Sequence, residues 1–452
     1  MMQNSLMRSF FYFISCAVFF LASVQWSRGN VLKIEQFISP ETCGDCHAEI
    51  YAQWKDSMHN LSHQDPLYVK VSAYLLKGLT DADEVMEGES CVKCHTPVGN
   101  VAGYPQKTSD NRNKVAEIAT KGIQCDYCHS ATGTNKPYNN GLVLSPGNGE
   151  EEPGVKRGPR RDAESDFHDT VYSEFHTRSD ICGTCHNVKH VAFNTDLETT
   201  YDEWKKSPYY NSTDPTKVIH CQDCHMYQRP SVPATGSTPR PGNPGASADG
   251  APQRPHIFTH YFIGGNAVIP GKMGNGEKNK MAVERLAHAA ALSIDTTNVH
   301  KGSIDILVQN TGAGHYLPTG LTDTRQMWIE VTIQDPKGKA LFTSGATDGK
   351  GYLASDAILY HTIFGDGRGN PVTNIAKARE ILKDKRIPPL KKTKEHILIP
   401  IIKESPLIIK ARLLYRSAPQ ELVDKALGSD TFKLPIIVMA ETETKINPQK
   451  KK

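Results

Sequence analysis

The sequence predicts a multidomain α+β protein in which a region of mostly short helices and loops is followed by an antiparallel β-sandwich. Cysteine pairs recur over residues 43–225, Pro and Gly are concentrated over residues 229–255, and apolar and polar residues alternate after residue 294. These three observations separate a cysteine-rich region from an all-β region. The length of 452 residues allows two or three domains.

The net charge excludes one class of partner. The 52 Lys and Arg residues nearly balance the 49 Asp and Glu residues, which gives a formal net charge of +3. Proteins that coat nucleic acid carry a much larger positive charge. Nucleic acid is therefore not an expected partner, whereas an association with a membrane or the cell surface stays open.

Residues 1–29 have the pattern of a secretory signal peptide. Arg8 precedes an apolar run over residues 10–24, which is shorter than the roughly 20 residues of a membrane-spanning helix. We expect cleavage between Ala22 and Asn30, with an uncleaved anchor as the alternative. Cys16 lies inside the apolar run rather than after it, which disfavours lipidation. The sequence thus predicts export to the periplasm or the outer cell surface.

The other ten of the eleven cysteines form five Cys-x-x-Cys pairs, and a histidine directly follows each pair. The five motifs comprise Cys43, Cys46 and His47; Cys91, Cys94 and His95; Cys125, Cys128 and His129; Cys182, Cys185 and His186; and Cys221, Cys224 and His225. No cysteine is left over for a disulfide in the predicted mature chain, so a disulfide scaffold is excluded.

The motif spacing predicts five covalently bound haems c. Two cysteines three positions apart form thioethers with one porphyrin, and the adjacent imidazole becomes the proximal ligand of the iron. Zinc sites would need thiolates from two pairs for each ion, and a redox dithiol would need only one pair. Neither alternative requires a histidine after every pair. We therefore interpret residues 30–228 as a pentahaem cytochrome domain packed around its haems.

Three histidines near the motifs are candidate distal ligands. Ile50, Trp54 and Met58 share one helical face, which carries His59 away from its own haem and towards another. His176 lies ten residues before His186, and His168 lies about two helical turns earlier.

Two further candidates follow the last motif. His260 and His315 are both flanked by glycines, which permit close backbone approach to a porphyrin but also occur in ordinary turns. His63, His190 and His220 are further, less favoured candidates for distal ligands. Methionine ligation would raise the reduction potential, and no Met has a comparable position.

At this point the chain resembles the cytochrome c-554 type of multihaem cytochrome, which is related in haem arrangement to hydroxylamine oxidoreductase and pentahaem nitrite reductase. The likeness lies in the stretch from Tyr51 to His59, the Gly-Ile-Gln that precedes Cys125, and the position of His176 before Cys182. It covers about residues 38–228. It implies closely stacked haem pairs, mostly bis-histidine irons, distal roles for His59 and His176, and a looser match for His168.

Two departures from that type matter. The c-554 type has four motifs where this chain has five, and it lacks the long carboxyl-terminal region. The catalytic relatives carry a Cys-x-x-Cys-Lys haem or a crosslinking tyrosine, and this sequence has no Cys-x-x-Cys-Lys. The resemblance therefore favours electron transfer over catalysis, although the family can keep one haem five-coordinate.

The remainder of the chain divides by composition and periodicity. Residues 229–279 are a Pro/Gly-rich linker or strap, residues 280–293 a connecting helix, residues 294–446 the β-sandwich, and residues 447–452 a basic tail. The strand candidates cover residues 304–308, 327–333, 340–343, 397–402, 407–415 and 434–438. The β region has no triad or nucleotide-binding pattern, so a docking module and a lid over the haems are equally compatible with it.

One short repeat occurs in the cysteine-rich region. The pattern Tyr-x-x-Trp-Lys-x-Ser begins at Tyr51 and again at Tyr201. We interpret both copies as aromatic helices that pack on porphyrins; two unrelated amphipathic helices are the alternative.

The leading functional hypothesis is an electron-transfer cytochrome with redox proteins or other cytochromes as partners. One alternative is an oxidoreductase for a small nitrogen or sulfur oxyanion, with an open iron at the haem on His95. A second alternative is a homo-oligomer that stacks haem to haem as a filament.

Overall fold

The computed structural model describes residues 31–210, 213–401 and 406–447. The predicted signal peptide and the end of the basic tail lie outside these ranges. The described residues from Leu32 onward form one compact unit. This unit runs across the predicted boundaries at residues 228, 279 and 293, so those boundaries stay predictions.

The amino-terminal region consists of short helices joined by turns, because glycines, prolines and the motifs themselves interrupt every apolar run. Its α-helices are Pro40–Gly44, Ala48–Trp54, Met58–Leu61, Pro66–Leu76, Ala82–Ser90, Val92–His95, Pro97–Val101, Cys125–His129, Asp180–Gly183, Thr200–Lys205 and Gln222–His225. Three two-stranded ribbons pair Ala131–Thr134 with Leu142–Leu144, Val155–Gly158 with Asp169–Tyr172, and Val188–Lys189 with Asp196–Glu198.

Apolar cores in this region are small and separate. One cluster contains Phe37, Val98, Ala119 and Tyr127. Another contains the aromatic side chains of Tyr201, Trp204 and Tyr209. A region of this length would normally bury one larger apolar core.

The helix that joins the two regions differs from its prediction. It covers Gly276–Ala287 and follows the short helix Val268–Lys272, whereas the sequence predicts residues 280–293. Ala290 and Ala291 lie in a strand instead, because they pair with Asn310 and Gln309. Sheet pairing here overrides the helix propensity of alanine.

The carboxyl-terminal region is built from two main antiparallel sheets. Its main strands are β1 (Ala290–Asp295), β2 (Ser303–Asn310), β3 (Gln326–Gln334), β4 (Ala340–Ser344), β5 (Lys392–Leu398), β6 (Leu407–Arg416) and β7 (Ile437–Ile446). One sheet has the order β4-β3-β6-β7, with Ile358–Leu359 also paired to β3, and the other has the order β5-β2-β1. A third sheet joins Pro371–Val372, Thr362–Gly365 and Glu380–Asp384. The mixed α+β class is thereby confirmed.

The two main sheets share one apolar core. Alternate residues of β2, β3 and β6 point into it, as the period-two pattern predicts. The fully buried members include Ile304, Ile306, Val308, Val331, Ile333, Ile409, Ala411 and Leu413. This cluster is much larger than any in the amino-terminal region.

The amino- and carboxyl-terminal regions touch through a second cluster. Leu61 and Leu67 pack with Val423, which lies on the helix Gln420–Leu427. Asn374 adds a hydrogen bond from its Nδ2 to the Leu75 carbonyl at 2.8 Å. Across the described ranges, no helix has the length and apolar character needed to cross a membrane.

Candidate haem-binding site

Each Cys-x-x-Cys-His motif folds as about one helical turn. The histidine N–H donates to the carbonyl of the first cysteine in four motifs, at 2.9 Å for His47, His186 and His225 and 3.1 Å for His95. The third motif is itself the helix Cys125–His129. One turn places the two sulfurs and the imidazole together, as covalent attachment of one porphyrin requires.

All five motif histidines have an acceptor at Nδ1. The acceptors are Ser247 O for His47 at 2.6 Å, Ser62 O for His95 at 3.0 Å, Arg157 O for His129 at 2.6 Å, Ile263 O for His225 at 2.7 Å, and Glu198 Oε1 for His186 at 3.4 Å. Carbonyl and carboxylate oxygens accept, so Nδ1 carries the proton and donates. The Nε2 lone pair of every motif histidine is therefore available to an iron.

Three motif histidines face a second imidazole across a gap of the size of one metal. The ring centres are 6.3 Å apart for His186 and His59, 6.4 Å for His129 and His260, and 6.4 Å for His225 and His315. A metal–nitrogen bond of about 2 Å on each side places two ligand rings about 6 Å apart. The three pairs fit bis-histidine haem irons.

The partner imidazoles also have a nitrogen to offer. The Nδ1 atoms of His260 and His315 donate to the carbonyls of Phe258 at 3.1 Å and Tyr316 at 2.9 Å. Both rings thus keep Nε2 for a metal. In the described part of the chain, His59 makes no side-chain hydrogen bond, and its ring packs on Phe262 at 4.4 Å.

Burial keeps most of these rings neutral. Burial and neighbouring imidazoles lower the pKa of His59 and of His260 to about 3 each. Burial also lowers the pKa of His225 and of His315. Neutral imidazole is the form that binds iron, so the lowered pKa values favour ligation. At His186 burial acts in the same direction, but the Glu198 carboxylate raises the pKa to about 9.

His176 and His168 have different surroundings. The His176 ring lies 5.7 Å from His129, but its Nε2 contacts the Cys128 carbonyl at 2.9 Å and its Nδ1 contacts Ser173 Oγ at 2.9 Å. His168 lies at the surface with Nδ1 on the Asp169 carbonyl at 3.0 Å. Over the residues described, the ring contacts pair no imidazole with His47 or His95. The distal ligands of these two haems stay unassigned.

Substitution of His260 and His176 separates the two candidates for the haem on His129. His260→Ala is expected to convert one ferric haem from low spin to high spin, because it removes the imidazole that has a free Nε2. His176→Ala is expected to leave the spin state of every haem unchanged, because both nitrogens of His176 already have partners. Low-temperature EPR distinguishes the outcomes, and the opposite pattern would exchange the two assignments.

The Tyr-x-x-Trp repeat has the same structure in both copies. The ring centres lie 5.9 Å apart for Tyr51 and Trp54 and 5.6 Å apart for Tyr201 and Trp204. Each tyrosine packs on the glycine of the preceding motif: a Cβ at Gly44 would lie 2.8 Å from Tyr51, and one at Gly183 2.6 Å from Tyr201. These glycines are required for close approach.

Each tryptophan of the repeat also donates a hydrogen bond to the backbone just before a later motif. Trp54 Nε1 donates to the Ile123 carbonyl and Trp204 Nε1 to the Ile219 carbonyl, both at 2.8 Å. Each carbonyl lies two residues before a motif cysteine. The first and third motifs, and the fourth and fifth, therefore form two copies of one arrangement.

Contacts between motif cysteines give the order of the motifs in space. Cys43 lies close enough to Cys125, Cys182 to Cys221, and Cys94 to Cys185 for the pKa of one thiol in each pair to be lowered and that of the other raised. Asn140 contacts three motifs as well, since it donates to the Lys93 carbonyl at 2.5 Å and to the Thr184 carbonyl at 2.6 Å and accepts from the Tyr127 hydroxyl at 2.7 Å. Burial and the Cys185 charge raise the pKa of Cys128 to about 12. The first motif thus adjoins the third, the third adjoins the fourth, and the fourth adjoins both the second and the fifth.

Sequence reasoning missed the groups that hold the motif histidines. Ser247 lies in the predicted strap, and its carbonyl accepts a hydrogen bond from His47 Nδ1. The Asp249 N–H donates to the Cys46 carbonyl at 2.9 Å. A backbone acceptor leaves no side-chain signal in a sequence. Among the residues described, no three His, Cys, Asp or Glu side chains converge as a metal-ion site.

Comparison with known proteins agrees with this geometry. Residues 42–130 match the family profile described as cytochrome c554 and c-prime. The penta-heme cytochrome c552 from Thermochromatium tepidum shares the fold, with a TM-score of 0.62, 19% identity, and coverage of 92% of this chain and 100% of that chain. No curated protein matches. The resemblance stated from the sequence is confirmed.

Proposed function

We propose that this chain, whose residues 42–130 carry the cytochrome c554 family pattern, is an electron-transfer protein with five covalently bound haems c. The five Cys-x-x-Cys-His motifs would anchor the haems, and His47, His95, His129, His186 and His225 would be the proximal ligands. The observation that carries the proposal is the oriented set of motif histidines, each with Nδ1 bonded and Nε2 free.

Three haems would have bis-histidine irons. The pairs would be His186 with His59, His129 with His260, and His225 with His315. When bound, each haem supplies an iron that exchanges one electron between the ferric and ferrous states. The protein's own groups hold each imidazole in one tautomer and orientation.

The contacts between motif cysteines support a continuous path. Haems attached to adjoining motifs would be close to one another, so electrons would pass among the first, third, fourth and fifth haems, with the second joined at the fourth. The haem on His186 would be the branch point. Its proximal histidine is also the one that faces a carboxylate, Glu198.

The two sheets with one core support the predicted β-sandwich, and His315 gives this region a role at the haems. The loop between β2 and β3 carries His315 to a ring-centre distance of 6.4 Å from His225. The β region would thus complete a haem site.

We further propose export to the periplasm or outer cell surface, where haem c is attached, and redox proteins or other cytochromes as partners.

The haem on His95 is the candidate for a second function. Its proximal histidine faces no imidazole among the described residues; Tyr68 instead stacks on it at 3.8 Å. The charged groups of Asp65 and Arg112 are close enough to influence the pKa of His95. An open iron beside the Arg112 guanidinium would suit a small nitrogen or sulfur oxyanion, whereas the Asp65 and Glu198 carboxylates would repel it.

EPR and redox titration of the purified holoprotein test these two functions. Electron transfer predicts that all haems are reduced and reoxidised reversibly in one-electron steps, with mainly low-spin ferric signals. A high-spin signal that disappears on addition of cyanide would support an open iron and the second function. Haems that cannot be reduced by a redox dye would contradict the electron-transfer proposal.

A further inference from the structure

We propose that Glu203 is a positioning residue, whose buried carboxylate holds the loop of residues 311–320 so that His315 reaches the haem on His225. The inference rests on the proposed haem binding and goes beyond it, because it assigns a role to a residue that binds neither haem nor iron. It also identifies the contact through which the two regions of the chain cooperate.

Glu203 lies on the helix Thr200–Lys205 and is 3% exposed. Its Oε2 accepts hydrogen bonds from the Tyr316 N–H at 3.0 Å and from Thr319 Oγ1 at 2.7 Å. Its Oε1 accepts from Thr199 Oγ1 at 2.7 Å and from the Arg386 guanidinium. Donors thus reach both oxygens of one buried carboxylate.

Two of these donors belong to the loop that carries His315. The Tyr316 N–H directly follows His315, so a bond at this amide fixes the backbone on the carboxyl side of the histidine. The carbonyl of the same peptide group, that of His315, accepts a hydrogen bond from Asn310 Nδ2 at 2.8 Å. The histidine backbone is therefore held from the haem region and from the end of β2.

The part of the loop before His315 is held by packing. A Cβ at Gly312 would lie 2.0 Å from the His288 carbonyl oxygen, and one at Gly314 would lie 3.5 Å from Tyr209. The loop is therefore tightly packed at Gly312 and in ordinary van der Waals contact at Gly314. The side of the loop after His315 is the side that depends on Glu203.

Arg386 explains why the positioning group is a carboxylate. It comes from the carboxyl-terminal region, its side chain is 8% exposed, and its guanidinium lies 5.1 Å from the Tyr316 ring centre. A second carboxylate, that of Asp384, also contacts it at 2.8 Å. Removal of the whole Glu203 side chain would leave this buried cation with one carboxylate partner and would remove the acceptor of the Tyr316 N–H.

The test uses the full-length holoprotein with His315→Gly, Glu203→Ala, Glu203→Gln and a matched control. Glu330→Ala is the control, because Glu330 also pairs with an arginine, Arg412, at 3.0 Å between β3 and β6, away from the loop. The readout is the spin state of each ferric haem by low-temperature EPR, before and after addition of imidazole.

His315→Gly and Glu203→Ala are expected to convert the same haem to high spin, and added imidazole should restore low spin in both. Glu203→Gln keeps an oxygen acceptor for Tyr316 and should retain the low-spin state, as should Glu330→Ala. If Glu203→Ala stays fully low spin while His315→Gly does not, this inference is overturned and the haem assignment survives. If His315→Gly also stays low spin, both are overturned.

A milder variant covers the case in which Glu203→Ala does not fold. Thr319→Val removes one hydrogen bond to the same carboxylate without exposing a charge. It is expected to increase the rate at which added imidazole replaces the native sixth ligand of that haem. An exchange rate equal to that of the native protein would overturn the proposal.

Discussion

Protein produced without haem attachment will leave residues 31–228 unfolded. The apolar clusters of this region are small, as the group of Phe37, Val98, Ala119 and Tyr127 shows, and no disulfide joins its described cysteines. The net stability of a domain is only about 5–15 kcal/mol. The proposed haems would fill the space between the clusters. Without them, the chain would lose more stabilisation free energy than this margin.

Hydrogen exchange on protein expressed without the haem-attachment machinery measures this effect. We expect amides near the motifs to exchange as in an unfolded chain. The β region provides an internal reference, because β2, β3 and β6 share a large cluster of buried apolar side chains. Strong protection of the motif helices in the haem-free chain would contradict the account.

His59→Gly is expected to have the largest effect of any single substitution on the redox properties. The His59 ring faces His186, the proposed proximal ligand of the proposed branch-point haem, at 6.3 Å. Removal of this neutral imidazole should leave one ferric haem high spin, with a raised reduction potential, since the ferric state loses a donor ligand. Electron exchange between the branches should slow as well.

EPR and a potentiometric titration measure these changes. His190→Asn is the matched control, because His190 is buried but has both nitrogens engaged: Nε2 with the Ala376 carbonyl at 2.9 Å, and Nδ1 with the amides of Ala192 and Phe193. The control should lose stability and leave the spin state of every haem unchanged. An unchanged spectrum for His59→Gly would exclude His59 as a ligand.

Haem attachment at the motifs could be predicted from the sequence because it depends on residues that are adjacent in the chain. The spacing within Cys43-Gly-Asp-Cys46-His47 is enough to indicate haem attachment. The repeat at Tyr51 and Tyr201 was also visible, although its contacts with Gly44 and Gly183 were not.

The sequence named His59, His260 and His315 as candidate distal ligands, but it could not show which motif histidine each one faces, because the partners come from distant parts of the chain. Nothing near His225 in the sequence points to His315, which reaches it only because two sheets and Glu203 position the loop. Likewise the Ser247 carbonyl is a backbone group in a segment whose composition indicates only a linker. Such contacts depend on tertiary structure rather than on local pattern.

The alternating pattern predicts where the strands lie more accurately than it predicts where they begin and end. The strand predicted over residues 327–333 is β3 (Gln326–Gln334), whereas the one predicted over residues 434–438 begins only at Ile437. The connecting helix ends at Ala287 because the following alanines join a sheet. Pairing with a distant strand decides these boundaries.

The most direct test of the central claim is the number of haems c for each chain. Pyridine haemochrome absorbance of the mature protein, referred to its concentration by amino-acid analysis, should give five haems per chain, and intact mass should show five covalent additions and no free motif thiols. Bound zinc, or a ratio well below five with cysteines open to alkylation, would contradict the account.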